Sequence, residues 1–151
     1  NRTGVRTFEA AAFLRRCGAN ITKVRKMFRD DMESYRAKAE AVRMAEVYRE
    51  QYAIAECPSD IENPTVLGAQ TANELLDISG IKASFVLTIY QGKTFLSARS
   101  IDEVNVQVIA ERLGGGGHIN AAGAQFDHTD VDEAIRSLKA VIDQMIEEGD
   151  I

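Results

Sequence analysis

Gly114-Gly115-Gly116-Gly117-His118 is the stretch of this sequence best suited to holding an anion. Bare backbone can approach a phosphate closely, and successive N–H groups can form a concave nest around it. Each ordered glycine costs about 0.5–1 kcal/mol relative to alanine in regular structure. Four together between two helical patterns therefore call for a reason. If His118 to Ala122 opens a further helical turn, its free N–H groups and positive end add to the nest. His118 then stands at the lip as a donor to a phosphate oxygen, while Ala121, Ala122 and Gly123 let the turn pack closely. The same run also fits a flexible joint following a helix C-cap, and the sequence leaves both readings open.

Arg99 is the second candidate, because a guanidinium grips phosphate bidentately. Strand alternation puts it on one face with Phe95 and Ser97. A solvated strand arginine is the plainer alternative. Asn105 either caps a helix or offers a polar contact to a base or sugar. Arg2, Thr3, Gly4, Arg6 and Thr7 form a basic, hydroxyl-rich turn, although Thr7 as a helix cap explains part of it. Arg25, Lys26, Arg29, Arg36 and Lys38 read as a solvated helix face.

Hydrolysis of a phosphodiester at neutral pH usually relies on metal ions that activate water. The only histidines are His118 and His128, and the two cysteines, Cys17 and Cys57, have no metal-like spacing. They are expected to be buried, reduced thiols. There is no HExxH, Walker loop or Ser-His-Asp pattern. The sequence thus predicts no catalytic residue, metal ligand or cofactor within this chain, and little hydrolysis by it alone.

The net charge of −5 hides a division. Residues 1–50 carry twelve Lys/Arg against seven Asp/Glu, and residues 51–151 carry six against sixteen. A domain that tracks long nucleic acid shows a basic stripe. The acidic portion lacks one, yet it can still bind a small anion through a few focused donors. No apolar run approaches the roughly 18 residues of a membrane span, so no membrane contact is expected from this segment. Starting at Asn1, it reads as a piece of a longer protein.

The elements that must position these residues follow from periodicity. A helix capped by Thr7 runs to about Gly18, and Asn20 caps a second through Phe28. Asp30 and Glu33 resemble a capping box opening a third, with Met32, Tyr35, Ala39 and Val42 as its apolar stripe. Residues 52–56 read as a strand. Asn63-Pro64 starts a helix to about Asp77, with Gly80 beyond its end. Residues 84–100 form a hairpin about Gln91-Gly92. A helix spans Asn105–Leu113, Gln125-Phe126 is a short edge strand, and Thr129 or Asp130 caps a last helix. Ile135, Leu138, Val141, Ile142 and Met145 form its buried side. The predicted fold class is α+β, a small mixed or mostly antiparallel sheet flanked by helices and preceded by a helical linker segment.

Ser97-Ala98-Arg99-Ser100, Asn105-Val106-Gln107-Val108-Ile109 and Leu113-Gly114-Gly115-Gly116-Gly117-His118 with Ala121-Ala122-Gly123 resemble the DHH-associated domain of the DHH phosphoesterase family. Arg2 to Ala11 looks like the end of the DHH domain in the membrane-anchored bacterial cyclic-di-AMP phosphodiesterases. The resemblance implies two segments. Residues 1–52 would be the end of the DHH domain plus linker, and 53–151 the substrate-binding associated domain. It further implies manganese in a DHH domain outside this segment, on the cytoplasmic side of the membrane. Arg99, Asn105 and Gly114–His118 would hold cyclic-di-AMP or its linear product pApA. The Asp-His-His motif that names the family is absent here. The rival readings are a nanoRNA or oligonucleotide phosphodiesterase, an RNA-binding module as in alanyl-tRNA synthetase, and a structural oligomerisation module. The expected partners are the dinucleotide and the DHH domain, and a homodimer is left open.

Overall fold

Two alternating stretches meeting at Gln91-Gly92 fold back on each other. Both turn residues adopt positive φ, 51° and 75°, the conformation that a two-residue hairpin turn demands. In the computed structural model, which describes residues 3–101 and 103–151, this hairpin is the centre of the second of two compact units. The first ends at Met32 and the second runs Glu33–Ile151.

The first unit holds helices α1 (Val5–Arg16) and α2 (Ile21–Met27). Gly4 occupies the cap position of α1, so Thr7 lies inside the helix rather than capping it. Asn20 caps α2 by accepting from the Lys23 N–H. Arg2 of the proposed basic turn lies outside the described residues. Cys17 is exposed, contrary to expectation, since α1 buries none of its residues.

The second unit runs α3 (Met32–Arg43), β1 (Glu46–Tyr48), β2 (Tyr52–Cys57), α4 (Pro64–Leu75), β3 (Ala83–Tyr90), β4 (Lys93–Ser100), α5 (Val106–Arg112), β5 (Gly116–His118), β6 (Ala121–Asp127) and α6 (Val131–Glu148). The strands form one mixed sheet in the order β1-β2-β3-β4-β6-β5. All pairs are antiparallel except β2 and β3, which are parallel and so need the crossover that α4 supplies. The α+β expectation holds. Among the described residues no helix is long and apolar enough to cross a membrane.

Period-2 alternation divides the side chains between the two sheet faces. Phe85, Leu87, Leu96, Ala98, Ala122 and Ala124 point to one face, where Ile109 of α5 and Leu138, Ile142 and Met145 of α6 cover them. Ala53, Ala55, Cys57 and Val86 point to the other, under Leu67, Ala72 and Leu75 of α4 and Ala41 of α3. On α3 the packing face is Ala37, Ala41, Val42 and neighbouring Ala45. Of the expected stripe Val42 does pack here, whereas Met32, Tyr35 and Ala39 are exposed and Ala41 takes the central place. Strand β1 had no expectation attached to it. It pairs with β2 through a turn at Arg49-Glu50, so the sheet begins ahead of residue 53. Helix α4 stops at Leu75, short of Asp77, and Asn63 makes no side-chain cap bond. Asp130 caps α6 by accepting from the Glu133 N–H. Ile135 and Val141 are only partly buried there.

Candidate functional site

The four glycines do not share one role. Gly114 follows Leu113, the C-cap of α5, with φ +80°. Its N–H bonds to Glu111 and that of Gly115 to Ala110, the paired bonds of a Schellman helix stop. A side chain on Gly115 would overlap the backbone of Gly123 and Ala124, and one on Gly117 would overlap Ala121 and Ala122. A side chain on Gly114 or Gly116 would meet nothing within 4 Å, and of these two only Gly114 has positive φ. The run therefore combines a helix stop with a strand laid tightly on its neighbour.

This corrects the nest. His118 to Ala122 is no helical turn, because Gly116–His118 is strand β5 and the chain turns at Ile119-Asn120 into β6. A peptide with bare glycine backbone follows an extended course as readily as a helical one, and the partner strand decides between them. Gln125-Phe126 accordingly belongs to a strand of seven residues. No helix end backs the glycines. The donors left to them are those of a sheet edge, since β5 is the outermost strand and alternate backbone groups face away from β6.

The sheet register brings two of the expected residues together. Arg99 pairs with Ala121, and Ala121 pairs with His118. Directly opposed residues point to the same face, so Arg99 and His118 flank the methyl group of Ala121 with their Cα atoms about 10 Å apart. The next row is Ser97, Gly123 and Gly116. These side chains continue the face that α4 covers over β2, β3 and, in part, β4. Over β6 and β5 that face stays open, with Ala121, His118 and Gln125 exposed. Behind it, Ala98, Ala122 and Ala124 are buried against α5 and α6. The result is an open half-face floored by small residues and bordered by one cation and one imidazole.

Arg99 is half-buried. Its Nη1 donates to the Ala98 carbonyl at 2.9 Å, and among the described residues no carboxylate pairs with it. Burial pushes its pKa below the ordinary guanidinium value, yet an arginine remains charged in a protein. A partly desolvated, unneutralised cation gains most from an incoming anion. The His118 imidazole likewise has no hydrogen-bond partner among the described residues.

Asn105 contributes less. Its Oδ1 caps α5 by accepting from the Gln107 N–H at 3.1 Å, which leaves only Nδ2 for a ligand. Its helix is pinned beside the site, however. The Val106 N–H bonds to Ile119, and the Ser100 N–H to Asn120, so the β5–β6 turn is fixed to the end of β4 and the start of α5. A separate recess of about 400 Å³ lies near the opposite sheet edge, between Glu40, Met44, Glu56 and Ile135. It holds none of the expected residues. Sequence reasoning passed over Phe95 and Gln125 as site residues. They share the open half-face, and only the strand register shows them opposed.

The class so defined is an α+β domain with an open half-face bordered by an arginine and a histidine and, among its described residues, no cluster of three or more His, Cys, Asp or Glu able to hold a metal. The chain belongs to the DHHA1 domain family, whose model matches residues 49–148. It is 41% identical over 143 residues to a cyclic-di-AMP phosphodiesterase of Listeria monocytogenes, covering 94% of this chain and 22% of that protein. It is 43% identical over 149 residues to another of Geobacillus thermodenitrificans, covering 98% and 23%. The chain thus spans under a quarter of the length of these relatives. Its fold matches that of an exopolyphosphatase-related protein from Bacteroides fragilis, with a TM-score of 0.81 at 19% identity over 95% of this chain and 44% of that one.

Proposed function

We propose that this domain is the substrate-holding part of a metal-dependent DHH phosphodiesterase that hydrolyses cyclic-di-AMP to pApA. The single observation behind the reading is the row Arg99–Ala121–His118 on a small-residue half-face that is open over β6 and β5. Arg99 grips a phosphate, His118 donates to it from the far side, and Gly116 lets the sugar-phosphate backbone lie against the sheet. Asn105 Nδ2 and the outer edge of β5, with its flanking glycines, supply secondary donors. The acidic balance of residues 51–151 makes this a site for a short anion and disfavours long RNA.

The residues described here do not fit a metal centre. In this proposal manganese belongs to a DHH domain elsewhere in the same longer protein, and that domain is the partner of the open half-face. Attachment of the longer protein to a bacterial membrane, with this domain on the cytoplasmic side and a role in signalling, belongs to the same proposal.

Steady-state kinetics of the full-length protein test it. Arg99→Ala and His118→Ala each lower kcat/KM for cyclic-di-AMP, roughly 10- to 100-fold for Arg99, the range of a lost charge-assisted bond. Metal content stays unchanged. Normal kinetics in both variants overturn the site. Competition between cyclic-di-AMP and linear dinucleotides separates the cyclic-substrate reading from that of an oligonucleotide phosphodiesterase.

A further inference from the structure

Phosphate binding at Arg99 and His118 leaves the other end of the open half-face unused. There Phe95 on β4 is the register partner of Gln125 on β6. Arg99 and Phe95 lie four residues apart on one strand face, about 13 Å between Cα atoms. Phe95 is half-buried, and its ring leans on that of Tyr90 with centroids 6.4 Å apart and planes tilted by 54°. Tyr90 is itself 39% exposed. Strand β5 reaches only as far as the partner of Gly123, so no strand flanks β6 at Gln125 and its side chain is open to a ligand.

The Gln125 carboxamide is already oriented. Its Nε2 donates to Asp127 Oδ1 at 3.0 Å, and Lys93 holds the same carboxylate oxygen at 3.0 Å. One N–H and the Oε1 acceptor remain, and a two-point contact needs Asp127 to hold the N–H that points away from Oε1. That donor–acceptor pair matches N7 and the N6 amino group of adenine. Guanine presents two acceptors on the same edge, which sets its O6 against Oε1. Aromatic stacking accepts any base, so selection falls to the carboxamide.

We infer that Phe95, backed by Tyr90, stacks one adenine of the dinucleotide while Gln125 reads its edge, with a neighbouring phosphate held at Arg99 and His118. The inference rests on the nucleotide-binding reading of this half-face and names its base-selecting residues. None of them takes part in bond cleavage. They are specificity residues, and they act on substrate affinity and on the choice of base.

The full-length protein, assayed with cyclic-di-AMP and cyclic-di-GMP, tests this. Phe95→Leu should raise KM roughly tenfold for both substrates with kcat largely kept. Gln125→Leu should lower the preference for the adenine substrate about tenfold. Gln125→Arg, which offers two donors to guanine, should move the preference further toward cyclic-di-GMP. Gln125 is exposed, so its variants report even where Phe95→Leu lowers the yield of folded protein. Unchanged KM in Phe95→Leu together with unchanged base preference in both Gln125 variants overturns the inference. If Arg99→Ala is impaired in that case, the phosphate site stands without the base subsite. If Arg99→Ala is normal as well, the reading of the half-face itself falls.

Discussion

Gly116 and Gly117 are neighbours with opposite tolerances. Gly117 sits at φ +150°, and a Cβ there would run into Ala121 and Ala122. Gly117→Ala should therefore cost of order 3 kcal/mol, the upper end for a strained backbone position, and lower the urea midpoint accordingly. Gly116→Ala should stay within about 0.5 kcal/mol, as for an unhindered surface change. Under the proposed function it should nonetheless raise KM, since its methyl would stand on the open half-face, on the same strand as His118. Equal unfolding midpoints for the two variants would contradict this division. The sequence made the run conspicuous but could not apportion it, because a helix stop, a tight strand contact and a ligand cradle all select glycine. Arg99 was legible through alternation with Phe95 and Ser97. Its meeting with His118 depends on register with β6, which no local pattern encodes.

Elements with strong local signals were readable: the hairpin at Gln91-Gly92, α5 behind Asn105, and α6 behind Asp130. Strand β1 was hidden because three residues after a helix carry too little period to register, and tertiary contacts hold it instead. The Tyr48 hydroxyl donates to Asp143 at 2.7 Å, and Arg49 donates to the same carboxylate at 2.9 Å. One helical turn away on α6, Lys139 pairs with Glu46 at 2.8 Å. These contacts clasp the turn at Arg49-Glu50, both at positive φ, onto the helix. The hydrogen bond from Tyr48, with help from Arg49, holds the Asp143 carboxyl below its ordinary value. A folded-state pKa below the unfolded one stabilises the fold fully above the unfolded value, near 3.9 for aspartate. That stabilisation is lost as the pH falls through the lower, folded value. Urea unfolding should thus show Asp143→Asn less stable than the parent sequence at pH 7, with the gap closing on acidification. A gap that persists unchanged at strongly acid pH would mean the carboxylate charge plays no part in the clasp.

The unit from Glu33 to Ile151 treats its sheet faces unequally. One is covered by α5 and α6, and the other is covered by α3 and α4 over the strands as far as β4 but not over β6 and β5. An open face with small residues in its floor carries little burial to stabilise it, so its outer strand should open most readily. Edge strand β5 pairs with β6 over three residues alone, whereas β3 and β4 pair over eight. In native-state hydrogen exchange, amides of Gly116–His118 should exchange well before those of β3 and β4, through local opening. Binding of a dinucleotide across Arg99 and His118 would tie β5 to β4 through the ligand and slow that exchange. The β1 edge lies at the far end of the same sheet and should keep its rate. Selective protection of β5 by cyclic-di-AMP in the full-length protein is the expected result. Uniform protection of both edges would indicate a global gain in stability instead, and protection of neither would remove the half-face from nucleotide binding.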